Sequence, residues 1–361
     1  MWIGMVAMPS GISPMSWHAH EMVYGFVGAA VAGFLFTAAP NWTGRPARRG
    51  TSLALLAMLW MGARISLYLP EHLPRLTPLL LDGAFPVILL VWITREIFLA
   101  RNRQNLIVVG ILGIWASANL AFHGALLGAW AELERPALMC GLQAILLLVV
   151  LIGGRVVPAF TGNWLKQTGA HTSLRSHPVL DKATLPLAAA TGVLTIVMPV
   201  YGVAAGFCIA TGAVLALRLS GWRGLHTRDE PLLFVLHVAY GWMSIGYLLT
   251  GLGILWPAFT SSAALHVLTI GGIGTMILAM MSRAALGHTG RPLQASGSVA
   301  GAYMLVSAAA LTRVGASVLP GLHADLLTVS GAFWLVAFAV FTVSYWPMFT
   351  GPALNPNQRR P

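Results

Sequence analysis

Four histidines, His18, His20, His123 and His266, sit in the outer parts of long apolar runs, where an ionisable side chain is expensive to keep. A neutral imidazole there has an obvious chemical use, as a ligand to a transition metal or to haem iron. The competing reading is a purely polar network, and ligation is the stronger of the two. His18 and His20 lie in Ser16-Trp17-His18-Ala19-His20-Glu21-Met22. Two residues apart on a regular helix they diverge by about 200°, so they do not readily share one metal. On such a helix His18 falls on the face of Met22, Gly25, Ala29 and Gly33, a small-residue stripe that leaves space beneath it. That favours His18 over His20 as the histidine that faces a cofactor. It leaves His20, on the face of Tyr24, or His123 for copper or a supporting hydrogen bond. His266 is followed by Thr269-Ile270-Gly271-Gly272-Ile273-Gly274-Thr275, whose glycines serve either helix packing or room for a macrocycle. No Cys-x-x-Cys-His occurs, so any haem is non-covalent, of the b type.

Other polar residues share that depth. Arg64, Asp82 and the Asn119/His123 pair lie within roughly 10 Å of the same membrane surface, at about 1.5 Å per helical residue. Arg64 and Asp82 are matched on consecutive apolar runs and are expected to pair. Arg64 is also a candidate for gripping a haem propionate with its planar fork. Asn119 and His123, one turn apart, suit interhelical hydrogen bonding. A weaker group lies toward the other surface, where His237 and Tyr240 are three apart; His237 is the additional candidate metal ligand.

The elements that carry these residues are membrane helices. The chain has 361 residues, 57% hydrophobic and only 9% charged, against the quarter usual in soluble domains. Apolar runs of spanning length fall near 15–39, 51–69, 78–99, 105–127, 136–157, 183–199, 202–219, 231–255, 263–286, 297–318 and 325–349. The expectation is an all-α polytopic membrane protein of about eleven helices, one membrane domain over 1–361. Residues 1–8 are apolar but too short to cross and lack a basic leader, so they read as the end of a helix from a longer product. A net charge of +11 does not point to nucleic acid, because the basic residues sit between apolar runs. Arg45, Arg48, Arg49, Arg101, Arg103, Lys166, Arg175, Lys182, Arg218, Arg223, Arg228, Arg291, Arg359 and Arg360 fall on one set of loops, and only Arg75 and Arg135 on the other. The basic side is expected to be cytoplasmic, in a bacterial inner membrane, with the 350–361 tail inside. The one long connection, 158–182, is then cytoplasmic, and His171 and His177 in it are ordinary loop histidines.

Three blocks resemble one family. His18-Ala19-His20-Glu21-Met22 followed by Ala39-Pro40-Asn41-Trp42-Thr43-Gly44-Arg45-Pro46 is similar to the signature of the NnrS family. Gly154-Arg155-Val156-Val157-Pro158-Ala159-Phe160-Thr161-Gly162-Asn163 fits it too. So does the run from Ala264-Leu265-His266 through Met281-Ser282-Arg283 to Gly287-His288-Thr289-Gly290-Arg291-Pro292-Leu293. The resemblance covers about residues 16–293. It implies a haem- and copper-containing bacterial inner-membrane protein of the nitric oxide response, usually with twelve spans, whose small-molecule partner is nitric oxide or a relative. A looser likeness to haem-copper oxidases stops at the copper centre, since no adjacent histidine pair exists here. The alternative is a secondary transporter using buried histidines for a metal ion or proton. Its sites usually lie at the bilayer midplane between inverted repeats, and neither is evident here.

The orientation is testable with reporter fusions. Fusions at Arg48 and Lys166 are expected to report cytoplasm and one at His72 periplasm; a periplasmic signal from Lys166 overturns the topology.

Overall fold

The computed structural model describes residues 12–69, 72–169, 172–256 and 261–352. The expectations for residues 1–8, His171, Arg359 and Arg360 fall outside these. Among the described residues eleven helical segments are long and apolar enough to cross a membrane. In chain order they are α1 Pro14–Thr43, α2 Thr51–Tyr68, α3 Thr77–Leu99, α4 Arg103–Leu126, α5 Ala131–Gln167, α6 Pro178–Val197, α7 Gly202–Gly221, α8 Pro231–Leu255, α9 Ser262–His288, α10 Gly297–Val318 and α11 Pro320–Thr350. The protein is therefore an all-α, multi-pass membrane protein.

Local chemistry sets the ends of α1. Ser13 caps it by accepting from Ser16 N at 3.1 Å, and Pro14 occupies the first turn, where a missing N–H costs nothing. Gly44 closes it in the left-handed conformation, φ 67°, and returns its N–H to Pro40 O at 2.8 Å. Two stretches depart from α geometry. Glu21–Phe26 in α1 and Val267–Gly274 in α9 are π-helical.

The chain forms two compact units, residues 1–148 and 149–361, with the division inside α5. In the first, α3 packs on α1, α2 and α4. Trp115 of α4 fits against Gly28, where a Cβ would meet its ring at 3.3 Å.

In the second unit α7 and α8 approach to backbone contact. A Cβ on Gly212 would lie 2.8 Å from Ser244 O, and one on Gly251 would lie 2.7 Å from Ala205 O. Ser244 Oγ uses the closeness to donate to Gly212 O at 2.7 Å.

The long connection is shorter than its composition suggests, because α5 continues through Pro158 to Gln167. Proline inside a helix removes the bond to the carbonyl four residues back, here Gly154. Arg218 NH2 reaches that carbonyl at 3.5 Å, and inside a membrane protein such outside donors are what make a helical proline tolerable.

Substituting Gly212→Ala is expected to push α7 from α8 and cost about 1–3 kcal/mol. The thermal unfolding midpoint in detergent measures this; an unchanged midpoint overturns the packing argument.

Candidate metal centre

Asp82 is the centre of the polar layer in the first unit. It is 1% exposed, in the third membrane helix, where an ionised side chain is expensive unless protein groups solvate it. Three helices supply its partners. Arg64 of α2 forms an ion pair with Oδ1. Oδ2 accepts from Asn119 Nδ2 at 2.7 Å and lies 2.9 Å from His123 Nε2, both on α4. His20 Nε2 of α1 lies 3.1 Å from the same oxygen.

Glycines let these groups meet. A Cβ on Gly83 would be 2.7 Å from Leu120 Cδ2, so its absence brings α4 against α3 beside Asp82. A Cβ on Gly25 would be 2.6 Å from Arg64 NH1, so that glycine houses the guanidinium. Trp60 ties α2 to the π-helical stretch by donating to Gly25 O at 2.9 Å.

The protonation pattern of His20 follows from its partners. Nδ1 lies 3.3 Å from Glu21 Oε1, and an ionised carboxylate only accepts, so Nδ1 carries the hydrogen. In the neutral ring the lone pair is then on Nε2. That atom is fully buried, and its 3.1 Å approach to Asp82 lacks the alignment of a hydrogen bond. A nitrogen lone pair and a carboxylate oxygen facing each other repel unless a cation lies between them. Ligands at about 2.0–2.2 Å from one metal, spread by 90–110°, are separated by about 2.9–3.5 Å. The His20 and His123 distances to Asp82 fall in that range. One ligand atom from each of His20, Asp82 and His123 lies within 4.8 Å of the others, and all three residues are buried.

The surroundings also suit a cation. Two carboxylates, Glu21 and Asp82, face one guanidinium, Arg64, which bonds Glu21 Oε1 at 3.0 Å as well as Asp82. With neutral imidazoles the group carries one uncompensated negative charge in a low-dielectric place. Phe122 stacks on the His20 ring at 4.6 Å and Tyr24 lies 5.0 Å away, walling it with carbon. The donor set, two imidazoles and a carboxylate, accommodates copper, zinc or iron. An imidazole whose second nitrogen donates to a carboxylate, as His20 does to Glu21, is the usual state of a metal ligand.

Both π-helical stretches follow directly on a histidine singled out by sequence, His20 in α1 and His266 in α9. Such insertions are rare and gather at functional sites. The family model described as NnrS protein matches residues 1–353. The chain belongs to the NnrS family. Comparison with curated proteins and with solved structures gives no match.

For this NnrS-family chain the remaining sequence candidates resolve as follows. His18 is exposed, while His20 is the α1 histidine that joins His123 and Asp82. The face argument for His18 assumed regular α-helix from 18 to 33; the π stretch at 21–26 breaks that register. Arg64 spends its fork on Glu21 and Asp82. In the second unit His266 donates from Nδ1 to Ser262 O at 2.7 Å, which puts the neutral ring's lone pair on Nε2. The space at its following glycines is taken: Gly271 faces Trp242, Gly272 faces Met243 and Gly274 faces Trp334. Those glycines therefore serve packing rather than a macrocycle. His237 is buried, with Nε2 2.8 Å from Thr161 Oγ1. Thr161 donates its one hydrogen to Val157 O, so His237 Nε2 is the donor and Nδ1 carries the lone pair, close against Gly224.

Two members of the Asp82 centre had weaker sequence signals. Glu21 was visible only as part of a motif. Asp82 read as the partner of Arg64 alone, because nothing in linear spacing announces that α1 and α4 also converge on it.

Asp82→Asn is expected to lower stability by about 3–5 kcal/mol, since it breaks the buried ion pair, leaving Arg64 with Glu21 alone, and weakens the acceptor that Asn119 and His123 share. Asn119→Ala, which removes one neutral donor, should cost about 1–3 kcal/mol. Unfolding midpoints in detergent compare the two; equal losses would contradict the central role of Asp82.

Proposed function

We propose that this protein binds copper and haem b in a bacterial inner membrane, C-terminus in the cytoplasm, and acts in the response to nitric oxide. The observation that carries the metal half is the buried His20 Nε2, bare of an aligned donor and 3.1 Å from Asp82 Oδ2. In this reading His20, His123 and Asp82 hold copper. Glu21 orients the His20 ring, and Arg64 and Asn119 fix the Asp82 carboxylate. Tyr24 and Phe122 keep water from the site. Haem ligation by His266 rests on the sequence and on family membership, with His237 as a reserve ligand in the same proposal. A bound copper or haem iron supplies a coordination position for a small diatomic such as nitric oxide.

The test measures two quantities on one preparation. Copper content per chain is expected to be near one in the wild type and to fall at least tenfold, about 1.4 kcal/mol, in His20→Ala and His123→Ala. A reduced-minus-oxidised spectrum should show a b-type band in the wild type that disappears in His266→Ala. A wild type without that band, despite ample haem supply, refutes the haem half. Full copper in His20→Ala refutes the metal half, and a full haem signal in His266→Ala moves the ligand to His237.

A further inference from the structure

The signature around Asn41–Pro46 takes no part in the centre built on Asp82. It lies at the opposite end of α1, about 30–40 Å along the helix from His20 at 1.5 Å per residue. There the first unit has a shallow recess, lined by carbon from Phe36, Ala39, Pro40, Trp92 and Ile93. Arg45, Arg48 and Glu96 line it too.

The charges do not balance. Glu96 pairs with Arg45, with Arg48 NH2 at 3.6 Å and with Arg95 NH1 at 3.7 Å. Each guanidinium brings five N–H donors, and one carboxylate has two oxygens to offer. Arg48 is held over the Trp92 ring at 4.7 Å, and its Nε is buried with no hydrogen-bond partner. Asn102 binds the next connection to the motif by donating to Trp42 O at 2.6 Å, which draws Arg101 and Arg103 to the same end. Glu96 is the one acidic residue among Arg45, Arg48, Arg49, Arg95, Arg101 and Arg103 in these two stretches.

A cationic recess with a carbon wall, at the end of a membrane helix, is complementary to an anionic amphiphile. We propose that it binds the phosphate of an anionic phospholipid, with Arg45 and Arg48 on the phosphate and the Phe36–Trp92 wall against the glycerol and the start of an acyl chain. Recesses of this kind between membrane helices suit anionic headgroups, each basic residue adding to the attraction.

The experiment uses the purified full chain, delipidated in detergent. Native mass spectrometry and the unfolding midpoint are followed with phosphatidylglycerol, phosphatidylcholine and inorganic phosphate as separate additions. Phosphatidylglycerol is expected to be retained and to raise the midpoint, and the other two to do neither. R48Q should bind it about fivefold more weakly, whereas R49Q, the same charge change at an exposed residue outside the recess, stays within about twofold. Equal retention of phosphatidylcholine, or equal weakening in R48Q and R49Q, overturns the proposal. Stabilisation by inorganic phosphate alone assigns the recess to a free anion and overturns the lipid assignment. If R48Q does not fold, the wild-type comparison of the two lipids decides.

Discussion

A carboxylate in the apolar part of a membrane helix must be solvated by protein, and in the first unit that requirement organises everything nearby. Asp82 is met by groups from α1, α2 and α4, so one side chain fixes how three helices stand against α3. The pairing is not chosen because it is strong. Ion pairs in a low dielectric repay their desolvation only when every remaining lone pair is met, and replacing them by carbon is often no worse. What the arrangement supplies is a fixed pair of imidazoles and one carboxylate oxygen held together without water. Gly83 and Gly25 are the steric counterpart of this electrostatic demand, since larger residues there would hold α4 and Arg64 away.

The two ends of α1 are handled by different physics. At the His20 end, charges are buried and counted one against another. At the Arg45 end, near the interface, an excess of guanidinium is left beside a carbon wall. A single helix thus carries a centre that needs dryness and a surface that uses the boundary with water.

The helices were legible because membrane crossing requires long apolar runs, a signal that needs no knowledge of tertiary contacts. The Arg64–Asp82 pair was legible from matched depth, and its formation bears that reasoning out. The convergence of His20 and His123 on Asp82 was not. Face arguments depend on counting 3.6 residues per turn, and the count fails across Glu21–Phe26. The end of α5 was missed because its last ten residues are not an apolar run, and the donor that relieves Pro158, Arg218, is 60 positions away in the chain. The glycines of α9 suited either helix packing or room for a macrocycle, and the partners Trp242, Met243 and Trp334 decide for packing.

The π-helical turn after His20 also bears on how this protein can change over generations. Such a turn is an α-helix with one residue too many, and each residue of a helix accounts for about 100° of rotation. The direction in which His20 points relative to Trp60 and Trp115 is therefore encoded in the number of residues between 20 and 27, not in which residues they are. Substitutions can tune the ring's neighbours, but only a gain or loss of a residue can turn it away. The centre is in this sense written as a length, and lineages that lose it are expected to carry a gap there before they carry a different amino acid.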